Sequence, residues 1–202
     1  MFNLLGQIPK QKFAVACSGG IDSMVLVDFL SRFPKNDFSI LYFNHGTEHG
    51  KDAENFLKDF CEKKNLEIVV GNISKEYPGK GSLEEYWRDE RYNFLEKFQC
   101  PILTAHNLND CVETWMFSSI RGFPKIIPYR RNQVIRPFLM VSKKQIKSWA
   151  NRHNVEYIED PSNTCVDFSR NLIRHELIPI VEKINPGVES MLKKMIYKRG
   201  TM

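Results

Sequence analysis

The feature that most constrains this chain is a short apolar run that ends in two glycines and an acid. Phe13-Ala-Val-Ala-Cys17 passes directly into Ser18-Gly19-Gly20-Ile21-Asp22-Ser23. From Asp22 to Phe33, apolar residues recur at Met24, Val25, Leu26, Phe29 and Leu30, a helical spacing that Pro34 ends. A continuous apolar run of this kind reads as a strand buried on both faces, as in a parallel sheet. The glycines let the backbone turn tightly between strand and helix, so that successive N–H groups converge. The positive end of the helix points to the same place. Strand, glycine turn and helix together make a phosphate site. Ser18 and Ser23 can donate their hydroxyls to phosphate oxygens. Asp22 would repel a phosphate, and it fits such a site when Mg²⁺ lies between the two. The loop is neither GxxxxGK[ST] nor GxGxxG, which sets aside Walker-type kinases and dinucleotide dehydrogenases.

The next hundred residues repeat the alternation. Phe38 to Asn44, Leu66 to Val70 and Pro101 to Ala105 read as further strands. Asp52 to Lys64 reads as an amphipathic helix. Ser82 opens another, with Glu85 in capping-box position and Leu83, Trp87, Phe94, Leu95 and Phe98 as the buried stripe. Asn109 can cap a helix from Asp110 to about Ser119. Four strands alternating with helices predict an α/β domain with a parallel sheet and helices on both faces. After Arg121 the character changes. Pro124, Pro128 and Pro137 fall close together, and a helix from Ser142 to Arg152 follows, with Ser142 and Gln145 as a capping box. Two short helices are expected near Phe168–His175 and Val188–Tyr197. The expected division is residues 1–135 as the nucleotide-binding domain and 136–202 as a small, basic helical segment completing it.

Composition narrows the context. The chain has 202 residues, 42% hydrophobic and 26% charged, as for an ordinary globular domain. No apolar run reaches the roughly 18 residues of a membrane span, and the N-terminus lacks a signal-peptide pattern, so a cytoplasmic protein without membrane contact is expected. The five cysteines form no CxxC pair, which argues against a zinc ribbon or a disulfide scaffold. The net charge of +5 is unevenly spread: Arg121 to Arg152 holds nine Lys or Arg and no acid. A basic half suits a polyanionic partner.

A second chemical cluster follows the fourth strand: Thr104-Ala105-His106-Asn107-Leu108-Asn109-Asp110-Cys111-Val112-Glu113-Thr114. On a helix, Asp110 and Glu113 share one face. At the same sheet edge as the glycine turn, they could hold Mg²⁺ or clamp a cationic substrate. The Ser18–Ser23 loop resembles the PP-loop of the N-type ATP pyrophosphatases, which cleave ATP between the α- and β-phosphates. The second cluster resembles the HxxDDxxET stretch of tRNA(Ile)-lysidine synthetases. Ser82 to Tyr92 resembles that family's LExxAR-x-x-RY helix, Arg136-Pro137-Phe138-Leu139 its RPL element, and Asn44-His45-Gly46 its NHG segment. Glu159-Asp160-Pro161-Ser162-Asn163, with Arg170-Asn171-Leu172-Ile173-Arg174, resembles its EDPSN…RNxIR ending.

The resemblance implies an adenine nucleotide alpha hydrolase-like fold and a ligase acting on RNA. Ser18, Gly19, Gly20, Ile21, Asp22, Ser23 and His45 would bind ATP, and Asp22 and Asp110 would hold Mg²⁺. Arg88, Asp110 and Glu113 would surround the reacting base and the incoming lysine. Arg170, Asn171 and Arg174 would face tRNA phosphates. The implied partners are a tRNA with a CAU anticodon, free lysine and a second copy of the chain in a homodimer. The chain departs from the pattern in two ways: Asn109 replaces the first acid of the pair, and the chain corresponds to a short form lacking the family's C-terminal domains. Two other readings stay open, a PP-loop tRNA thiolase and a truncated, non-catalytic homologue that binds nucleotide or RNA. His106 is read as a loop-ordering residue, and Trp87, Trp115 and Trp149 as core.

Overall fold

A computed structural model describes residues 1–73, 77–159 and 169–200, leaving out the side chains of residues 169, 170, 199 and 200. The elements run β1 (Phe13–Ala16), α1 (Ile21–Ser31), β2 (Phe38–Asn44), α2 (Glu48–Lys64), β3 (Ile68–Asn72), α3 (Leu83–Leu95), β4 (Ile102–Thr104) and α4 (Leu108–Ile120). Then come β5 (Arg130–Arg131), β6 (Val134–Ile135), a 3-10 turn (Pro137–Met140) and α5 (Lys143–His153). The described chain ends with α6 (Ser169–Leu172), a π-helical turn (Ile173–Leu177), α7 (Ile178–Ile184) and α8 (Val188–Gly200). Asp160 to Asn163 of the EDPSN-like segment, Cys165 and the Arg170 side chain lie outside the described residues.

The strands form one sheet in the order β3-β2-β1-β4-β6-β5. All neighbouring pairs are parallel except the edge pair β5 and β6. The period of two along each strand divides the core. Phe13, Val15, Ile40, Tyr42 and Leu103 pack with Met24 and Leu30 of α1, Leu57 of α2 and Ile146 of α5. The alternate residues Ala14, Leu41, Phe43, Ile102 and Val134 pack with Tyr92, Phe94 and Leu95 of α3. Helices therefore cover both faces, as the alternating sequence predicts. A third cluster joins Leu108, Cys111, Val112 and Met116 of α4 to Ile173, Leu192 and Ile196.

The chain leaves β1 toward β2 and β3, then returns to place β4 on the other side of β1. The strand order reverses between β1 and β4, so the loops that follow them diverge and open a crevice at the carboxyl edge, where open α/β sheets collect ligands. The glycine turn follows β1 and the Asp110 loop follows β4.

One glycine shows how tightly α3 sits on this sheet. Gly71, opposite Phe43 in the β2–β3 register, would place a Cβ 2.5 Å from the Phe94 ring. Gly71→Ala must therefore displace that ring from a packed cluster. The expected cost is about 1–3 kcal/mol, read as a lowered thermal midpoint. A midpoint unchanged from the parent would show that α3 yields freely.

Candidate active site at the sheet switch point

The glycine turn is held by its own serines. Ser23 Oγ donates to Gly20 O at 2.9 Å and accepts from Ser18 N at 3.2 Å, while Ser18 Oγ lies 3.3 Å from Ser23 Oγ. Gly19 has φ of +82°, the left-handed region that favours glycine. Its carbonyl accepts from Ile158 N at 3.0 Å, which ties the loop to the stretch after α5. Gly20 differs: its φ is −76°, open to any residue, and a Cβ there would meet only Ser18 Oγ at 3.5 Å. Its own backbone does not need a glycine. The absent side chain leaves open space beside the start of α1, where the Gly20 amide donates only a long bond to Ser18 Oγ at 3.4 Å, as close approach of a ligand requires.

Across the crevice, α4 starts at Leu108, capped by Asn107 and not by Asn109 as the sequence suggests. Asn107 Oδ1 accepts from Asn109 N and Asp110 N, and Asp110 Oδ2 accepts from Asn107 N at 2.8 Å, a complete capping box. This fixes the Asp110 carboxyl in the first turn. Burial first, and then the charges of Asp22 and Glu113, together push that carboxyl up to about 6 against the Asn107 amide and Arg174, which favour the ionised form. Asp22, Asp110 and Glu113 thus share one electrostatic neighbourhood, fed by α1 and by one face of α4.

Two cations answer the three acids. Lys143 Nζ donates to both oxygens of Asp22, at 2.7 and 2.6 Å. Arg174, on the π-helical turn, donates from Nη2 and Nε to Glu113 Oε2 at 2.6 and 3.1 Å. Glu113 is buried, with its side chain 5% exposed. Burial alone would lower the Arg174 guanidinium, but Glu113, Asp110 and Asp22 outweigh it and hold it above its ordinary value. π-helical turns often sit at functional sites, and this one aims Arg174 at the α4 acids.

Sequence reasoning missed Lys143. One signal was available: Lys143 and Lys144 open α5, whose first turn has no acid. Positive charge there opposes the helix dipole and calls for a distant partner. Asn109 takes part as well, since its Oδ1 accepts from Lys143 N at 2.8 Å. The residue that replaces the expected acid docks the start of α5 onto α4.

The remaining predicted residues sit elsewhere. His45 packs against Phe43 and Trp87, with ring centroids 5.1 and 5.4 Å away. Burial, and then the charge of Arg91, lower it to about 4, so it is neutral at ordinary pH. Arg88 lies over the Tyr92 ring at 5.0 Å. Asn171 lies on α6, three residues before Arg174. His106 Nδ1 is 2.9 Å from Thr104 Oγ1, a loop-ordering contact. Trp149 donates to Asp28 within the core against α1.

Carboxylates from two different elements suit a hard cation such as Mg²⁺, which commonly takes one or two protein carboxylates plus substrate phosphates. The residues present fit that ion. Asp22 already holds a cation in Lys143, and a dication near Asp110 would relieve the repulsion that raises its carboxyl.

The sequence profile of the PP-loop domain family matches residues 1–181. The chain belongs to the PP-loop domain family. Among curated relatives it is similar to tRNA(Ile)-lysidine synthase of Persephonella marina, at 36% identity over 92% of this chain and 45% of that protein. A second, tRNA(Ile)-lysidine synthase of Lactiplantibacillus plantarum, is 32% identical over 88% of this chain and 44% of its own length. The chain spans about half the length of the curated relatives it matches. Among solved structures, it superposes on the U34-tRNA thiolase of Methanococcus maripaludis with a TM-score of 0.76, covering 98% of this chain and 76% of that one. At 18% identity that likeness is one of fold. Among the described residues, no helix is long and apolar enough to cross a membrane.

Proposed function

We propose that the chain is the catalytic unit of an ATP-dependent tRNA(Ile)-lysidine synthetase. The observation that carries this reading is the shared electrostatic neighbourhood of Asp22, Asp110 and Glu113 beside a glycine turn with open space at Gly20, at the sheet switch point. The similarity to tRNA(Ile)-lysidine synthases across most of the chain supports the choice of substrate.

In this reading the Ser18–Ser23 loop binds the ATP phosphates. Asp22 and Asp110 would hold Mg²⁺, which when bound neutralises charge on the phosphate oxygens. The C2 carbonyl oxygen of the wobble cytidine in a CAU anticodon attacks the α-phosphorus. An O–P bond forms and pyrophosphate leaves. Adenylation turns a poor leaving group into a good one. The lysine ε-amine then attacks C2, the C–O bond breaks and AMP departs. The ε-ammonium must lose a proton before attack, and Glu113 on the crevice wall is assigned to accept it. An unpaired anticodon base can be splayed into such a crevice. Lys143, whose Nζ pairs with Asp22 next to the glycine turn, is assigned to the departing pyrophosphate. Arg170, Asn171 and Arg174 are assigned to tRNA phosphates.

The test is incubation with α-labelled ATP, lysine and a CAU-anticodon tRNA. Lysine-dependent AMP release with a matching mass gain on the cytidine is the expected result. AMP release that requires sulfide and ignores lysine would replace this reading with a thiolase. Nucleotide binding without turnover would make the chain a non-catalytic homologue.

A further inference from the structure

We infer that Arg88, Arg91, Arg131 and Arg136, gathered around Tyr92, form a second site that takes a phosphate group. The guanidinium carbons of Arg88, Arg131 and Arg91 lie 5.0, 5.1 and 6.0 Å from the centre of the Tyr92 ring. Arg136 Nη2 donates to the Tyr92 hydroxyl at 3.0 Å, and its Nη1 donates to Pro128 O at 2.9 Å. Four positive side chains from α3, β5 and the start of the 3-10 turn therefore meet at one phenol.

Among the described residues, no carboxylate is paired with any of the four, and none of them belongs to the ion pairs Lys12–Glu67, Arg32–Asp28, Lys58–Glu54, Lys143–Asp22 and Arg174–Glu113. Arg136 is 2% exposed, the largest fully buried side chain among the described residues, and both of its acceptors are neutral. Its Nε is buried with no acceptor at all. A buried charge beside like charges, with one donor unanswered, costs stability unless an anion supplies what the chain does not.

The neighbouring groups register the same excess. Burial alone would raise the Tyr92 phenol, yet Arg136, Arg88 and Arg91 outweigh burial and hold it below its ordinary value. Burial and then Arg88 and Arg136 lower the Arg91 guanidinium, with Tyr92 acting in the opposite sense. His45, kept neutral, adds no charge of its own.

A phosphate group is the chemistry that suits four guanidinium forks, because its oxygens accept paired N–H donors in several directions at once. Arg131 is exposed at the edge strand β5, so the cluster opens to solvent on its outer side. Arg131 and Arg136 both come from the acid-free stretch Arg121–Arg152, which gives that stretch a defined destination. The phosphate could belong to an RNA backbone or be free phosphate or pyrophosphate. The inference rests on the cluster and not on the lysidine reaction, so it is tested without lysine or ATP.

Arg131→Gln and Arg91→Gln are compared with the unsubstituted chain, and with Lys35→Gln as an exposed charge control. The probes are a CAU anticodon stem-loop RNA and inorganic pyrophosphate, titrated over a range of salt. Thermal midpoints check folding, and the exposed Arg131 supplies a folded variant even if Arg91→Gln unfolds. For an RNA phosphodiester, each arginine variant weakens RNA binding about 3- to 10-fold and lowers the salt slope by about 0.7–0.9, while Lys35→Gln changes neither. For free phosphate, pyrophosphate binding falls by a similar factor and RNA binding does not. Arginine variants that match the parent in affinity for both probes and in slope overturn the inference. Absence of lysine-dependent AMP release would sink the proposed reaction and leave this site standing.

Discussion

An Asp110→Asn variant is expected to lose AMP formation by about 100-fold or more and, in the same molecule, to gain stability at neutral pH. The activity loss follows if Asp110 holds the cation that neutralises the reacting phosphates, an interaction of the kind whose removal costs two to three orders of magnitude. ATP binding should persist, because the glycine turn and its serines are untouched. The stability gain follows from the capping box. Asn can still accept from Asn107 N through its oxygen, so the cap survives. What disappears is the cost of ionising a carboxyl that burial, Asp22 and Glu113 push up to about 6. The folded state binds the Asp110 proton more tightly than the unfolded chain, whose carboxyl titrates near 4. This group's stabilising contribution is therefore full below about pH 4 and is lost as pH rises through about 6. The variant should equal or trail the parent at pH 4 and exceed it at pH 7.5 in metal-free buffer. The excess should be at most about 3 kcal/mol, the full worth of a shift from about 4 to about 6. Unchanged AMP formation would remove Asp110 from the metal assignment. A variant less stable than the parent at pH 7.5 would show that the three acids do not strain one another.

Much of the fold was readable because periodicity and burial agree. β2 occupies Phe38–Asn44, as its apolar run indicates, and the Ser142–Gln145 capping box forms as written. Failures occur where a long-range contact decides. The sequence suggests that α2 starts at Asp52. In the structure Thr47 caps the helix on Gly50 N, and glycine is needed there because a Cβ would fall 2.5 Å from Asn44 Oδ1. Ser82 makes no side-chain cap and Leu83, at the start of α3, is exposed, while Phe94 and Leu95 of the expected stripe are buried and Phe98 packs against them. The strands β5 and β6 are two residues each in a proline-rich stretch, too short to leave a period.

The site divides the same way. The glycine turn and the two α4 acids announce themselves locally, because strand, turn and helix are contiguous. Lys143 lies 121 positions from Asp22, and Arg174 lies 61 from Glu113, so neither pairing leaves a spacing to read. Arg136 is the sharpest case. A sequence gives an arginine no reason to be buried, and only the meeting of α3 with the stretch after β6 encloses it.

Gly19→Ala and Gly20→Ala should separate what the fold requires from what a ligand requires. Gly19 carries φ of +82°, and an added Cβ would lie 3.2 Å from the Ile158 side chain. Alanine there is strained by about 1–2 kcal/mol whether or not nucleotide is present. Gly19→Ala should lower the thermal midpoint and weaken ATP binding together. Gly20 has an ordinary φ and only Ser18 Oγ near the position of a Cβ, at 3.5 Å. As the N-cap of α1 it loses at most about 1 kcal/mol on change to alanine. The new methyl would occupy the side on which the loop amides meet a phosphate. Gly20→Ala should therefore fold nearly as the parent does and bind ATP at least about tenfold more weakly, the cost of about 1.4 kcal/mol of lost contact. Calorimetric titration with ATP beside a thermal melt reads both quantities. A folded Gly20→Ala variant that binds ATP as tightly as the parent would mean that the amides at the head of α1 do not receive the nucleotide. The proposed reaction would then lose its starting point, because every later step needs the α-phosphorus delivered to that edge of the sheet.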